Sequence, residues 1–308
     1  MRIYKENINI GQTPMGNELS VLKYTIDSGN SGKTIYIQSG THGGEITQWV
    51  LHELFSYLQN NLKRGKVILV PNANPVSWLQ RNYFSTNGKF DMYMGKDWNR
   101  NFPGNEQGSL GERIASVLFA QARQADFVLD LHTSRLSLPF SIHFNKEMRK
   151  YAEVFGLEYN QFIDTTIKTS YKDTINASLF AVDVPSLCIE CGSHDAYEPE
   201  NINLALDGIK RILQHFNQIE DISVAQICKK QIFYDKTITY YAQTGALLRF
   251  KKNLGDIVHI GDELYEIYDN NDLGKKKLGF AKHNGILFKI SPTHIYWSGD
   301  EILQLINT

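Results

Sequence analysis

What most constrains the fold is an alternation, through the first two-thirds of the chain, of short β-branched apolar runs with segments of helical period. Residues 34–38 (TIYIQ), 67–70 (VILV), 127–131 (FVLDL) and 186–189 (SLCI) are each short enough to be a buried strand. Between them, residues 46–58 place Ile46, Trp49, Val50, Leu54 and Leu58 on one side of a helical wheel. Ser109 and Glu112 have capping-box spacing, at the start of a helix expected to run to about residue 125. A last helix is expected over residues 201–216, with Ile209, Ile212, Leu213 and Phe216 as its apolar stripe. Such alternation predicts an α/β layer fold with a largely parallel or mixed central sheet flanked by helices. Near residue 222 the pattern changes to short β-like runs divided by Gly245, Gly255, Gly261, Gly274, Gly285 and Gly299. That predicts a larger domain over 1–221 and a small all-β C-terminal domain over 222–308, a division that 308 residues accommodate.

Charge and composition narrow the partners. Thirty-two Lys+Arg stand against 33 Asp+Glu, without the basic excess of a nucleic-acid binder. The run Lys275-Lys276-Lys277 reads as a solvated loop. Polar residues interrupt the N-terminal MRIYKENINIGQ, so it lacks the apolar stretch of a signal peptide, and no segment approaches the roughly 20 apolar residues of a membrane span. Cys188, Cys191 and Cys228 are an odd number in a long chain, which argues against a disulfide framework. The expectation is a cytoplasmic protein that binds neither nucleic acid nor membrane; the sequence leaves its oligomeric state open.

The densest chemistry lies in Gly-Thr-His-Gly-Gly-Glu, residues 40–45, between an expected strand and an expected helix. Sites in open α/β sheets sit at the carboxyl ends of strands. On such a turn, His42 and Glu45 can converge on one ion, although a lone His-x-x-Glu is common and carries little by itself. A catalytic zinc needs a third protein ligand and an open position. His132, expected to end the strand over 127–131, is the best candidate, with Asp130 on the same face as a polar support. His52 is expected on the polar side of its helix; His194, close after Glu190, could line the site, but a loop hydrogen bond is the expected role.

Hydrolysis also needs a group that handles protons. Glu190 stands at the expected end of the strand over 186–189, where an acid is costly to bury without purpose; a salt-bridged structural Glu is the alternative. Cys188 and Cys191 have C-x-x-C spacing, but with no matching second pair they read as small buried apolar residues. Asn72-Ala73-Asn74-Pro75 follows another strand, with Arg81 six residues beyond Pro75. Asn99-Arg100, within Asp97-Trp-Asn-Arg-Asn-Phe-Pro-Gly104, sets an amide beside a guanidinium fork suited to a carboxylate or carbonyl, or to the backbone of its own loop.

In this order, G-x-H-G-x-E, N-P with a downstream Arg, D-x-N-R-N-F-P-G, D-L-H and a strand-end Glu resemble the succinylglutamate desuccinylase/aspartoacylase family, a branch of the zinc carboxypeptidase superfamily. The resemblance covers about residues 30 to 220 and implies a zinc-carboxypeptidase-like fold. It implies one zinc (Zn2+) per chain on His42, Glu45 and His132, Glu190 as general base and acid, and Arg81 on the oxyanion. Asn99 and Arg100 would hold the carboxylate of a small-molecule substrate, an N-acyl amino acid or related amide. A zinc carboxypeptidase acting on peptides is the alternative, and a non-catalytic zinc-binding or small-molecule-binding protein a weaker one. Gly44 stands where many relatives have Asn, and Trp98 where Leu is usual. The long stretch from Arg81 to Asn99 is more like the carboxypeptidase arrangement. The C-terminal part resembles biotinyl/lipoyl-type β-sandwiches at Gly255-Asp256 and Gly261, without a carrier-lysine motif.

Overall fold

Strands that are apolar on both faces require cover on both faces, and this requirement organises the larger part of the structure. The computed structural model describes residues 1–83, 85–221 and 230–307. Its principal strands are β1 (Arg2–Gln12), β2 (Glu18–Asp27), β3 (Thr34–Ser39), β4 (Lys66–Val70), β5 (Phe127–Ser134), β6 (Phe140–His143), β7 (Tyr159–Phe162), β8 (Ser186–Ser193) and β9 (Ile232–Tyr234). They form one nine-stranded sheet in the order β1-β2-β4-β3-β5-β8-β6-β7-β9. The sheet is mixed. β3 runs parallel to β4 and β5, whereas β2–β4 and β6–β8 are antiparallel.

The helices are α1 (Gln48–Asn61), α2 (Leu110–Ala122), α3 (Arg149–Phe155), α4 (Ile175–Phe180) and α5 (Pro199–His215). Tyr36 of β3 and Val128 of β5 pack with Ile114, Ala115 and Leu118 of α2 and Ile175 and Leu179 of α4. Phe127, one residue along and so on the opposite face, meets Tyr151 of α3 and Phe216 just beyond α5, with ring centroids 4.7 and 5.6 Å apart. The α/β architecture and the capping box of α2 are as the sequence predicted: Ser109 accepts from the Glu112 amide, and the Glu112 carboxylate accepts from the Ser109 amide.

Several boundaries differ. α1 begins at Gln48, and its buried stripe is Val50, Leu51, Leu54 and Leu58. Trp49 lies beyond that stripe, half exposed, with its ring edge-to-face against Tyr197. β5 does not end at Leu131 but continues through His132 to Ser134, and β8 continues through Glu190 to Ser193. These two strands are neighbours in the sheet. The N-terminal hairpin of β1 and β2 and the short strands β6 and β7 were not foreseen.

The chain divides into two compact units, Met1–Thr133 with Pro139–Ile232, and Ser134–Leu138 with Phe233–Thr308. The division expected at residue 222 falls within residues 222–229, outside those described, as does Cys228. The second unit is all-β. Glu301–Ile306 pairs antiparallel with Thr237–Tyr241 and Gly285–Ile290; Ala246–Phe250 pairs antiparallel with Glu263–Tyr268 and Ile295–Tyr296. The two sheets share a core that includes Leu248, Val258, Leu264, Leu287 and Leu303. Lys276 and Lys277 are not in a loop: they open the strand Lys276–Phe280 at the edge of one sheet. Charged lysines on an edge strand keep it from pairing with another chain, and Lys276 is paired with Glu266. Among the described residues, no helix is long and apolar enough to cross a membrane.

The α2 cap yields a prediction. Ser109→Ala removes the acceptor for the Glu112 amide and should lower stability by about 1 kcal/mol. Urea unfolding should show an earlier midpoint with an unchanged slope; an unchanged midpoint would mean that the cap contributes nothing.

Candidate metal centre

The register of the sheet brings the two histidines together. Ser39, the last residue of β3, pairs with Leu131 of β5, so the loop leaving β3 passes beside His132. That loop carries His42 and Glu45, and all three side chains are buried. Glu45 lies between the rings: its Oε1 is 2.8 Å from His42 Nδ1, and its Oε2 is 2.9 Å from His132 Nδ1. One donor atom from each residue falls within 4.8 Å of the others.

The outer ring nitrogens are held as well. His42 Nε2 lies 2.9 Å from Asp97 Oδ1, and His132 Nε2 lies 2.8 Å from Asp130 Oδ2. Gln38 Nε2 donates to the other Asp130 oxygen at 2.8 Å, which fixes that carboxylate as the expected support. Asp97 was not singled out from the sequence. It is 55 residues from His42, and the available signal was its place at the head of the Asp-x-Asn-Arg motif.

The field among these groups favours positive charge. Burial acts to raise the Glu45 carboxyl, but His42 and His132 outweigh it and hold it well below the usual carboxylate range. Burial likewise acts to raise Asp97, and His42, Lys89 and Arg100 bring it down instead. His132 is pushed well above a free imidazole: burial opposes this, and Asp130 and Glu45 prevail. Two inward Nδ1 atoms and a carboxylate, with both outer nitrogens on carboxylates, make the donor set of a metal-bound histidine pair. A divalent cation there would neutralise carboxylates that are otherwise costly to bury.

A second donor group, Asp130, His132 and Cys188, meets the same distance criterion. It is the poorer one. Both Asp130 oxygens are already engaged, and burial pushes the Cys188 thiol far up, away from the thiolate that binds metals. Cys188 and Cys191 are buried and free, in keeping with their reading as small core residues.

The other candidate residues fall at different distances from this centre. Glu190 shares a face of β8 with Cys188, half-buried, and its negative charge opposes ionisation of both Cys188 and Cys191. Asn99 is buried: Nδ2 lies 3.2 Å from His132 Nε2, and Oδ1 accepts from the Ile175 amide that opens α4 at 3.2 Å. Arg100 donates to the Asn99 carbonyl at 2.9 Å and stacks 5.0 Å over the Tyr171 ring. Arg81 is exposed on a two-residue ladder with Ser85–Thr86. Asn74 has a structural task, its Oδ1 accepting from the Val76 and Ser77 amides. The insertion around Arg81 is tied to the metal loop at Gly43, whose amide donates to the Gly88 carbonyl at 3.1 Å. Gly88 has no room for a side chain there: a Cβ would lie 2.3 Å from Gly43 Cα.

Comparison with known proteins places the chain among relatives. A curated N-alpha-acetyl-L-2,4-diaminobutyric acid deacetylase from Halomonas elongata is 27% identical over 299 residues, covering 89% of this chain and 83% of the relative. The crystal structure of a succinylglutamate desuccinylase/aspartoacylase family protein from Shewanella amazonensis has a TM-score of 0.88 at 21% identity, covering 98% of each chain. A metallo-carboxypeptidase from Burkholderia cenocepacia shares part of the fold, with a TM-score of 0.51 at 15% identity over 69% of this chain and 65% of its own. Residues 31–216 match the family model of the succinylglutamate desuccinylase/aspartoacylase catalytic domain, and the chain belongs to that family.

Proposed function

We propose that the protein is a zinc-dependent deacylase that cleaves the amide of a small N-acyl amino acid or related carboxylate-bearing substrate. The observation that carries this reading is the Glu45 carboxylate bridging two buried imidazoles whose outer nitrogens rest on Asp97 and Asp130. His42, Glu45 and His132 would hold the metal. When bound, zinc at such a site supplies Lewis acidity and lowers the pKa of water.

The chain's own residues then have distinct tasks. Glu190, one strand over from His132, takes the proton of the attacking water and returns it to the leaving amine. Arg81 offers a guanidinium to the negative oxygen that develops on the attacked carbonyl. Arg100 presents its remaining donors to the substrate carboxylate; its Tyr171 stack and its bond to the Asn99 carbonyl hold the fork in place. Asn99 spends its Oδ1 on α4, and the Nδ2 facing His132 keeps a hydrogen for the same carboxylate. The family's named activities and the deacetylase relative support amide hydrolysis. The long insertion before Asn99 and the partial likeness to a metallo-carboxypeptidase keep one rival, peptide cleavage at a C-terminus.

Two predictions follow from these assignments. Purified protein should carry close to one zinc per chain by elemental analysis, and His42→Ala and His132→Ala should each lose most of it. Full occupancy in either variant would remove that residue from the ligand set.

Glu190→Gln should retain zinc and fold while lowering kcat on N-acyl amino acids by about 100- to 10,000-fold, the usual scale of general acid–base catalysis. The same assay on N-acetyl and N-succinyl amino acids beside tri- to hexapeptides tests the substrate class. Release of C-terminal residues from the peptides, with simple N-acyl amino acids untouched, would transfer the assignment to a carboxypeptidase.

A further inference from the structure

Strand β3 carries two polar side chains on one face of an otherwise apolar run. Tyr36 and Gln38 are two residues apart, so both project to the same side of the sheet, and both are fully buried. The Tyr36 ring packs with Val128, Ile114, Leu118 and Ile175 in the core that α2 and α4 cover. A phenylalanine would supply that contact as well. The hydroxyl adds nothing to it and is costly to bury unless it is bonded.

Its bond leads to the metal centre. The Tyr36 hydroxyl donates to Gln38 Oε1 at 3.0 Å. Gln38 Nε2 donates one hydrogen to Asp130 Oδ1 at 2.8 Å and directs the other at Thr41 Oγ1, 3.3 Å away. Gln38 and Asp130 are partners in the β3–β5 register, so the sheet itself sets this pair. The other oxygen, Asp130 Oδ2, is 2.8 Å from His132 Nε2. Burial and the Asp130 charge push the Tyr36 hydroxyl up, so it keeps the hydrogen that Gln38 accepts.

The sense of each bond matters. An amide presents two ends of similar shape and opposite polarity. With Oε1 on the Tyr36 hydroxyl, Gln38 turns its nitrogen to Asp130. Without that hydroxyl, Oε1 is a buried acceptor whose bond is lost, and an amide rotation that relieves it takes the donor away from Asp130. A carboxylate released on one side no longer holds its imidazole at one angle. The two histidines differ in this respect. His42 rests on Asp97, which also meets the half-exposed Lys89. His132 rests on a carboxylate braced from the core.

We propose that Tyr36 is a positioning residue for the metal, acting through Gln38 and Asp130 to hold the His132 ring with Nδ1 toward Glu45, so that the core face of β3 sets the affinity of the centre. The inference rests on the assignment of zinc to His42, Glu45 and His132.

Tyr36→Phe removes one oxygen and leaves the ring in place. Zinc affinity, measured by competition with a chromophoric chelator, should fall by about 10-fold, the lower end of the loss caused by removing an outer partner of a metal-bound histidine. A double-mutant cycle tests the route. In a Gln38→Met background, Tyr36→Phe should change zinc affinity no further. A hydroxyl with only a structural role would shift the unfolding midpoint and leave zinc affinity unchanged. Cobalt loading gives a readout independent of turnover: the visible bands of the Tyr36→Phe protein should shift from those of the unaltered protein. If Gln38→Met does not fold, a nitrogen-edited NMR spectrum of the metal-free protein takes its place, and the Gln38 side-chain amide resonances should move in Tyr36→Phe. Equal zinc affinity in Tyr36→Phe and the unaltered protein, an equal loss in both Gln38 backgrounds, or unmoved Gln38 resonances would overturn the proposal. An unaltered protein that binds no zinc would overturn the ligand assignment as well.

Discussion

The Glu45 carboxylate, shared between His42 and His132, is the contact on which the arrangement of the site depends. Each oxygen takes one imidazole, at 2.8 and 2.9 Å. This is possible only because the parallel pairing of β3 with β5 sets the loop after Ser39 beside His132. Behind the rings, Asp97 and Asp130 fix the orientation of both, and Gln38 fixes Asp130 in turn. A buried polar network of this kind is stable only when all its members are paired. Here its inner positions are three ligand atoms within 4.8 Å of one another, a set that a divalent cation would hold together.

The same network reaches outward through short chains of contacts. Asn99 joins His132 to the first amide of α4, and α4 packs into the core shared with α2 and the sheet. On the other side, the backbone contact of Gly43 with Gly88 anchors the insertion that carries Arg81 and Thr86, so this segment is positioned by the metal loop itself. The group assigned to the oxyanion therefore comes from a segment whose root is fixed, although its tip is exposed at Met92, Tyr93 and Met94.

The parts of the fold legible in the sequence were those with an undiluted pattern. β3, β4, β5 and β8 are buried apolar runs, and α2 and α5 carry capping or stripe signals that local chemistry enforces. β1 escaped notice because most of its residues face solvent, leaving almost no alternation to read. β6 and β7 were obscured by buried polar residues that satisfy one another, as Ser141 does by donating to Asn160 at 2.7 Å. His42, Glu45 and His132 were legible from type and spacing, and the structure brings them together. Asp97 was not singled out as a site residue, because its contact with His42 arises from long-range folding that no local spacing encodes. Trp49 was misplaced for a related reason: a helical wheel gives a residue's direction but not what lies opposite it, and here that is Tyr197 at the surface.

The central claim is that the metal sits on His42, Glu45 and His132 rather than on the neighbouring Asp130, His132 and Cys188. Zinc K-edge X-ray absorption on the zinc-loaded protein distinguishes the two directly, because a Zn–S distance of about 2.3 Å stands apart from Zn–N and Zn–O distances of about 2.0–2.2 Å. The account predicts a shell of nitrogen and oxygen scatterers only, with the multiple-scattering signature of two imidazoles. A sulfur scatterer at about 2.3 Å, or a single imidazole, would contradict it.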